Sequence, residues 1–108
     1  MRLKIMSPNG IVYDQEVEGF AVDTNSGKRI ILDRHVDFIA FYNFSQVDIM
    51  YKDNKNCDLT SNYYVALGYL YVSDNEAYII SQLASKNRDD IEKTYKNILQ
   101  IRGDTTDV

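Results

Sequence analysis

Residues 68–81, GYLYVSDNEAYIIS, decide the fold class. Two runs of β-branched, aromatic and aliphatic residues, 69–72 and 77–81, flank a short polar group. Such runs favour strands, and the Ser-Asp-Asn group between them favours a tight turn. The segment therefore predicts two antiparallel strands joined as a hairpin.

The same alternation of apolar runs and turn residues continues towards the N-terminus. It predicts further strands over residues 3–7, 11–13, 16–22, 29–32, 37–43, 46–52 and 61–67. Turn signals recur about every 8–12 residues, which is the spacing of a sandwich or barrel. The polar residues 52–58 are expected to form an exposed hairpin tip. Simple alternation places Tyr63, Tyr69 and Tyr71 on one face of their strands.

The last quarter of the chain changes to a helical period. One helix face is predicted to carry five residues at helical spacing: Ile91, Tyr95, Ile98, Leu99 and Arg102. Asn87 is a suitable N-cap, and Gly103 stands where a glycine often ends a helix. The sequence predicts one helix of about four turns, which packs its apolar stripe on the sandwich or on a partner.

Composition excludes several classes of protein. The chain has 108 residues, a formal net charge of −4, one cysteine and one histidine. One cysteine cannot form an intramolecular disulfide, and one cysteine with one histidine cannot supply a structural zinc site. The sequence shows no basic patch of the kind that indicates a nucleic-acid-binding protein. No apolar run approaches the roughly 20 residues that span a bilayer, and no secretory signal is expected.

No arrangement of side chains predicts catalysis. His35 has Asp33 and Asp37 as sequence neighbours, but no nucleophile is marked, and nothing near Cys57 indicates an activated thiol. We therefore expect no catalytic residue, no metal and no cofactor. A tyrosine-rich strand face remains open to two interpretations, a half-buried sheet surface or a contact surface.

A distributed pattern over residues 3–86 resembles the N-terminal domain of the epsilon subunit of F-type ATP synthases. It opens with a strand that ends in Ser7-Pro8, continues through residues 12–35, and ends with Gly68-Tyr69-Leu70-Tyr71-Val72 followed by Asn75 and Ala84. Two features depart from the family pattern. Lys28 replaces the usual acidic residue after Gly27, and a second glycine and a proline of the same stretch are absent.

The resemblance implies a mostly β fold: a flattened β-sandwich of about ten strands (residues 1–84) followed by one C-terminal α-helix and tail (residues 85–108). In the family this domain lies at the foot of the central stalk, bound to the gamma subunit and resting on the ring of membrane c subunits. It is a non-catalytic rotor part. The family usually ends in a two-helix hairpin, for which residues 85–108 have length for only one helix.

The first hypothesis is therefore an epsilon-type rotor subunit that binds gamma, located in the cytoplasm on the cytoplasmic face of the cell membrane. Two alternatives stay open: a subunit of a specialised F-type-like ATPase that lacks a proton-pumping c-ring, and a stand-alone β-sandwich interaction module. The residues predicted to contact partners are Glu16, Val17, Glu18, Lys28, Arg29, Arg34, His35, Tyr69 and Tyr71.

Overall fold

The computed structural model describes residues 1–32, 34, 37–52 and 58–106. His35 and Cys57, together with most of the predicted hairpin tip, lie outside these residues. The elements are β1 (Arg2–Ser7), β2 (Gly10–Glu16), β3 (Gly19–Thr24), β4 (Gly27–Leu32), β5 (Phe38–Lys52), β6 (Asp58–Ser73), β7 (Glu76–Ser85) and α1 (Arg88–Thr106).

The strands of the described residues form one hydrogen-bonded sheet of seven strands, in the order β2-β1-β7-β6-β5-β3-β4. All neighbours are antiparallel except β1 and β7, which run parallel. The predicted hairpin is present, with Val72 opposite Ala77 across the β6–β7 turn. A mostly β fold with one C-terminal helix is thus confirmed.

The strands differ in length from the prediction. The predicted breaks at residues 43–45 and at residue 68 lie inside continuous strands of 15 and 16 residues, β5 and β6. The predicted strand 16–22 is instead divided between β2 and β3. About ten expected strands become seven in the described part of the chain, because β5 and β6 each serve both layers of the sandwich.

A corner in the sheet creates the two layers. The pairing of β5 with β6 is interrupted at Asn43 and Leu67, and the pairing of β6 with β7 is interrupted at Leu67 and Gln82. Leu67 has a φ of 62°, in the left-handed region that bends a strand sharply. One sheet is therefore folded on itself along a line through these three residues.

The corner also exchanges the inward and outward faces of the strands. On β6, Tyr63 and Val65 are buried before the corner, whereas Leu70 and Val72 are buried after it. The buried positions change from odd to even numbers at Leu67. The prediction that Tyr63 shares a face with the later tyrosines is therefore wrong. Tyr63 belongs to the core, and Tyr71 is 43% exposed.

The core joins the two layers into one cluster of buried side chains. Leu3, Ile5 and Ile79 come from one layer, and Phe20 and Ile49 from the other. Full burial of such side chains stabilises a fold by about 1.5–3 kcal/mol each. Tyr13 and Tyr63 meet across the layers edge to face, with ring centroids 5.3 Å apart.

Polar groups replace the backbone pairing that is lost at the corner. The buried Ser81 hydroxyl accepts a hydrogen bond from the Ala66 N–H at 3.0 Å and lies 2.8 Å from the Ala66 carbonyl oxygen. The Tyr42 hydroxyl donates to the Ile80 carbonyl at 2.8 Å, and burial raises the pKa of Tyr42. The corner is thus closed by side-chain hydrogen bonds between β5, β6 and β7.

Helix α1 begins as predicted and ends later than predicted. The Asn87 side-chain oxygen accepts a hydrogen bond from the Asp89 N–H at 3.0 Å, which confirms the N-cap. The helix runs through Gly103 to Thr106, so the predicted stop at Gly103 is wrong. A glycine inside a helix costs only about 1 kcal/mol and does not by itself end it.

The start of α1 packs on the outer side of the sheet. Ile91 is buried, and the Tyr95 ring lies 5.6 Å from the Phe44 ring, centroid to centroid. Further along, Leu99 and Ile101 are exposed. No helix within the described residues has the length and apolarity that a membrane crossing requires.

Candidate interaction surfaces

The first surface, here called the aromatic face, is the outer side of the layer formed by β2, β1, β7 and the adjoining halves of β6 and β5. Its central residues are Ile39, Phe41, Tyr69, Tyr71 and Tyr78. Cross-strand pairing aligns them, with Ile39 opposite Tyr71, Phe41 opposite Tyr69, and Tyr71 opposite Tyr78. Directly paired side chains share a face of the sheet and touch.

The aromatic face is apolar and open. Phe41 is 58% exposed and Ile39 is 54% exposed. Ring centroids lie 6.2 Å apart in the Phe41–Tyr69 pair and 6.2 Å apart in the Tyr71–Tyr78 pair. A contiguous exposed group of this kind is typical of an interaction site.

Charged residues border this face on the β1 side. The Lys4 ammonium lies 5.8 Å from the centroid of the Tyr78 ring. The Tyr78 hydroxyl donates to a Glu76 carboxylate oxygen at 2.5 Å, and this hydrogen bond raises the pKa of Tyr78. Arg2 Nε donates to Asp14 Oδ1 at 2.6 Å. That bond raises the pKa of Arg2 and lowers the pKa of Asp14.

The predicted contact residues Glu16, Val17 and Glu18 lie where β2 passes into β3. Glu16 and Glu18 are exposed, and the Glu18 N–H donates to the Met50 carbonyl at 2.9 Å. Val17 is buried, and its N–H donates to the Met1 carbonyl at 2.8 Å. Val17 is therefore part of the core, and its side chain is not available to a partner.

The second surface, here called the basic edge, is strand β4, the last strand of the second layer. It carries the predicted contact residues Lys28 and Arg29, both exposed. Ile30 and Leu32 on the same strand are 59% and 55% exposed, whereas Ile31 points into the core. β4 pairs only with β3 among the described strands, so its other edge is open.

Arg34 lies apart from this strand, beside the turn between β6 and β7. Its φ is 64° and its N–H donates to the Asn75 side-chain oxygen at 2.7 Å. The Asp74 N–H in turn donates to an Asp37 carboxylate oxygen at 3.1 Å. Two hydrogen bonds to side-chain oxygens thus attach the segment after β4 to the turn between β6 and β7.

A groove lies at the corner of the sheet. Its volume is about 380 Å³, and it is lined by residues 6–8, 67–69 and 80–82. Its accessible lining is mostly apolar. Among the described residues, no three His, Cys, Asp or Glu side chains are grouped closely enough to hold a metal ion.

The predicted contact residues are thus distributed over separate surfaces. Tyr69 and Tyr71 belong to the aromatic face, and Lys28 and Arg29 belong to the basic edge. Sequence reasoning did not assign Ile39 and Phe41, although they are among the most exposed apolar residues. Residues 38–42 are apolar at both odd and even positions, so alternation could not indicate which of them face outward.

Comparison with known proteins identifies the sandwich. Residues 1–87 match the family described as ATP synthase, Delta/Epsilon chain, beta-sandwich domain. The ATP synthase epsilon chain of Lacticaseibacillus casei is 28% identical over 89 residues, covering 82% of this chain and 61% of the relative. The chloroplastic ATP synthase epsilon chain of Mesostigma viride is 29% identical over 79 residues, covering 73% of this chain and 56% of the relative.

Two solved structures share the fold. One is a chain of the Tetrahymena thermophila mitochondrial ATP synthase central stalk and c-ring, with a TM-score of 0.65, 15% identity, and coverage of 79% of this chain and 65% of that one. The other is a chain of the Euglena gracilis mitochondrial ATP synthase, with a TM-score of 0.64, 19% identity, and coverage of 96% and 64%. The chain spans about three fifths of the length of the curated relatives described above. On the match over residues 1–87, the chain belongs to the ATP synthase delta/epsilon chain beta-sandwich domain family.

Proposed function

We propose that this chain is an epsilon-type rotor subunit in the central stalk of an F-type rotary ATPase. It acts by binding and not by catalysis, and its principal partner is the gamma subunit. Residues 1–84 form the docking domain, and residues 85–108 add the helix and tail. In the assembled complex the subunit lies on the cytoplasmic face of the membrane without inserting into it.

The observation that carries this proposal is the aromatic face. A sandwich that belongs to a stalk-subunit family exposes Ile39, Phe41 and Tyr71 together on one sheet surface. Aromatic residues are enriched in protein interfaces, where they bury large areas with little loss of side-chain entropy. We assign the gamma contact to this face.

A second candidate function is a subunit of a specialised F-type-like ATPase that has no proton-pumping c-ring. The exposed Lys28 of the basic edge favours it, because the family usually has an acidic residue there. A reversed charge changes which partner surface attracts this part of the domain. Purification of the native complex separates the two, since c subunits accompany the chain only in a proton-pumping enzyme.

The gamma contact is tested with two identical substitutions. Ile39→Ala on the aromatic face and Ile30→Ala on the basic edge remove the same side chain from positions of similar exposure, 54% and 59%. Binding to purified gamma subunit is measured by isothermal titration calorimetry. Loss of a central interface residue costs about 1–2 kcal/mol or more, so Ile39→Ala is expected to bind about tenfold more weakly, with Ile30→Ala close to the unmodified chain. Equal affinities for all three proteins would contradict the assignment.

If the unmodified chain does not bind the gamma subunit, the result would support a stand-alone β-sandwich interaction module. The same calorimetry distinguishes that outcome, because a folded chain then gives no heat of binding even without substitution. Circular dichroism on each variant establishes that the sheet is intact.

A further inference from the structure

The two outer strands of the sheet, β2 and β4, differ in how well each could pair with a strand of a partner protein. Edge strands expose backbone N–H and C=O groups that another strand can pair with, and proteins usually obstruct them with bulges, charges or bent backbone. At the β2 edge, the pairing with β1 shifts register between Ile5 and Met6. Arg2 also binds Asp14 of β2. The strand at this edge is therefore irregular, and its Asp14 side chain is held by the neighbouring strand.

The β4 edge has no register shift, and its charges, Lys28 and Arg29, are of one sign, so they repel a basic strand and attract an acidic one. Its pairing with β3 is regular over all six residues, from Gly27 opposite Thr24 to Leu32 opposite Gly19. No backbone hydrogen bond from elsewhere in the described residues reaches it. Because an edge strand directs alternate backbone groups away from its neighbour, β4 offers an uninterrupted row of donors and acceptors.

The side chains of β4 add apolar and positive character to that row. Ile30 and Leu32 alternate along the strand and are more than half exposed. Lys28 and Arg29 are also exposed, and neither joins an ion pair with another described residue. Asp23 is the cross-strand neighbour of Lys28, and it forms no ion pair with another described residue. Residues 28–32 contain two basic residues and no acidic residue, in a chain whose formal net charge is −4.

From these observations we infer that β4 is the docking site for an extended acidic segment of a partner protein, which adds to the sheet as a further strand beside β4. Main-chain hydrogen bonds supply the general affinity of such strand addition, and alternate side chains supply its specificity. Here Ile30 and Leu32 contact apolar residues of the incoming strand, while Lys28 and Arg29 select acidic ones. The inference goes beyond the gamma contact, which uses the other layer of the sandwich.

The probe is an acetylated, fluorescently labelled peptide of about eight residues, Thr-Val-Thr-Val-Glu-Glu-Glu-Thr, long enough to cover the six-residue strand. In an antiparallel pairing its two valines lie opposite Leu32 and Ile30, and its glutamates lie opposite Arg29 and Lys28. Fluorescence anisotropy with the full chain measures its dissociation constant. Three comparison ligands accompany it: the same peptide with lysine in place of each glutamate, the acidic peptide with alternate backbone nitrogens methylated, and vesicles of phosphatidylglycerol.

The acidic peptide is expected to bind, and its affinity is expected to fall as salt is added, because exposed charges are screened. The basic and the N-methylated peptides are expected not to bind. Lys28→Glu is expected to weaken binding at least tenfold, whereas Lys93→Glu, the same substitution at an exposed position on α1, leaves it unchanged. Ile39→Ala also leaves it unchanged, which separates this site from the gamma contact.

Several results would overturn the inference. Equal binding of the N-methylated peptide would mean that charge alone attracts the ligand, without strand addition. Binding of the phosphatidylglycerol vesicles in place of the peptide would assign the basic edge to a membrane surface. A concentration-dependent dimer lost in Lys28→Glu would assign β4 to a second copy of the chain.

Discussion

Gly68 lies where β6 leaves the corner, and replacing it with alanine is expected to open the contact between β6 and β7. The added methyl carbon would overlap the carbonyl oxygen of Ile80. It would also lie 2.8 Å from the Ile80 carbonyl carbon and 2.8 Å from the Tyr42 hydroxyl oxygen. Ordinary separations of carbon atoms are about 3.5–4.0 Å, so the two strands must move apart by about 1 Å.

The size of the effect follows from what that movement disrupts. Crowding in a well-packed region costs about 1–3 kcal/mol. Separation also breaks the hydrogen bond from the Tyr42 hydroxyl to the Ile80 carbonyl, 2.8 Å long. Tyr42 is buried, and an unsatisfied buried polar group costs about 1–3 kcal/mol. The free energy of unfolding is therefore expected to fall by about 2–6 kcal/mol, a large share of the roughly 5–15 kcal/mol of a typical domain.

Urea denaturation followed by circular dichroism measures this loss. With a slope of about 2 kcal/mol per molar urea, a loss of 4 kcal/mol lowers the midpoint by about 2 M. Asn62→Ala is the control, since Asn62 is exposed on the same strand and such substitutions change stability by about 0.5 kcal/mol or less. If Gly68→Ala and Asn62→Ala unfold at the same urea concentration, the close approach of β6 and β7 at Gly68 is not what holds the corner.

Three further perturbations test other parts of the fold. Ser81→Ala removes the hydroxyl that bonds the Ala66 backbone and should lower the urea midpoint by an amount equivalent to about 1–3 kcal/mol. Asn87→Ala removes the N-cap of α1 and should cost about 1 kcal/mol, seen as lower ellipticity at the helix band with an unchanged sheet signal. Asp14 has a pKa lowered by its hydrogen bond to Arg2, so the stability it contributes is present above the ordinary carboxyl pKa and lost as pH falls through the lowered one. Asp14→Asn should therefore flatten the acid limb of a plot of stability against pH, and an unchanged limb would show that this ion pair contributes nothing.

Sequence patterns predicted the elements whose signals are local. The turn at residues 73–76 carries its own turn-forming residues, and Asn87 carries the side chain that caps the helix. Both are decided within a few positions of the chain. The mostly β class and the C-terminal helix followed from the same kind of local pattern.

The corner could not be predicted in this way. Leu67 adopts a φ of 62° although it is not a glycine, and the residues on either side of it, Ala66 and Gly68, are paired with both neighbouring strands. Alternation carried across such a position assigns every later side chain to the wrong face, so it groups the buried Tyr63 with the exposed Tyr71. Gly103 illustrates the opposite error, since a residue that often ends a helix is tolerated inside this one.

The same corner bears on the proposed rotor function, because it connects the two surfaces. β5 carries Ile39 and Phe41 of the aromatic face before the corner, and its second half pairs with β3, which in turn pairs with β4. A partner on the aromatic face and a partner on β4 would therefore be joined through continuous hydrogen-bonded strands and a shared core. Packed sheets of this kind deform little under load. A force applied at one surface would reach the other without passing through a flexible linker, which is the mechanical property that coupling between rotor parts requires.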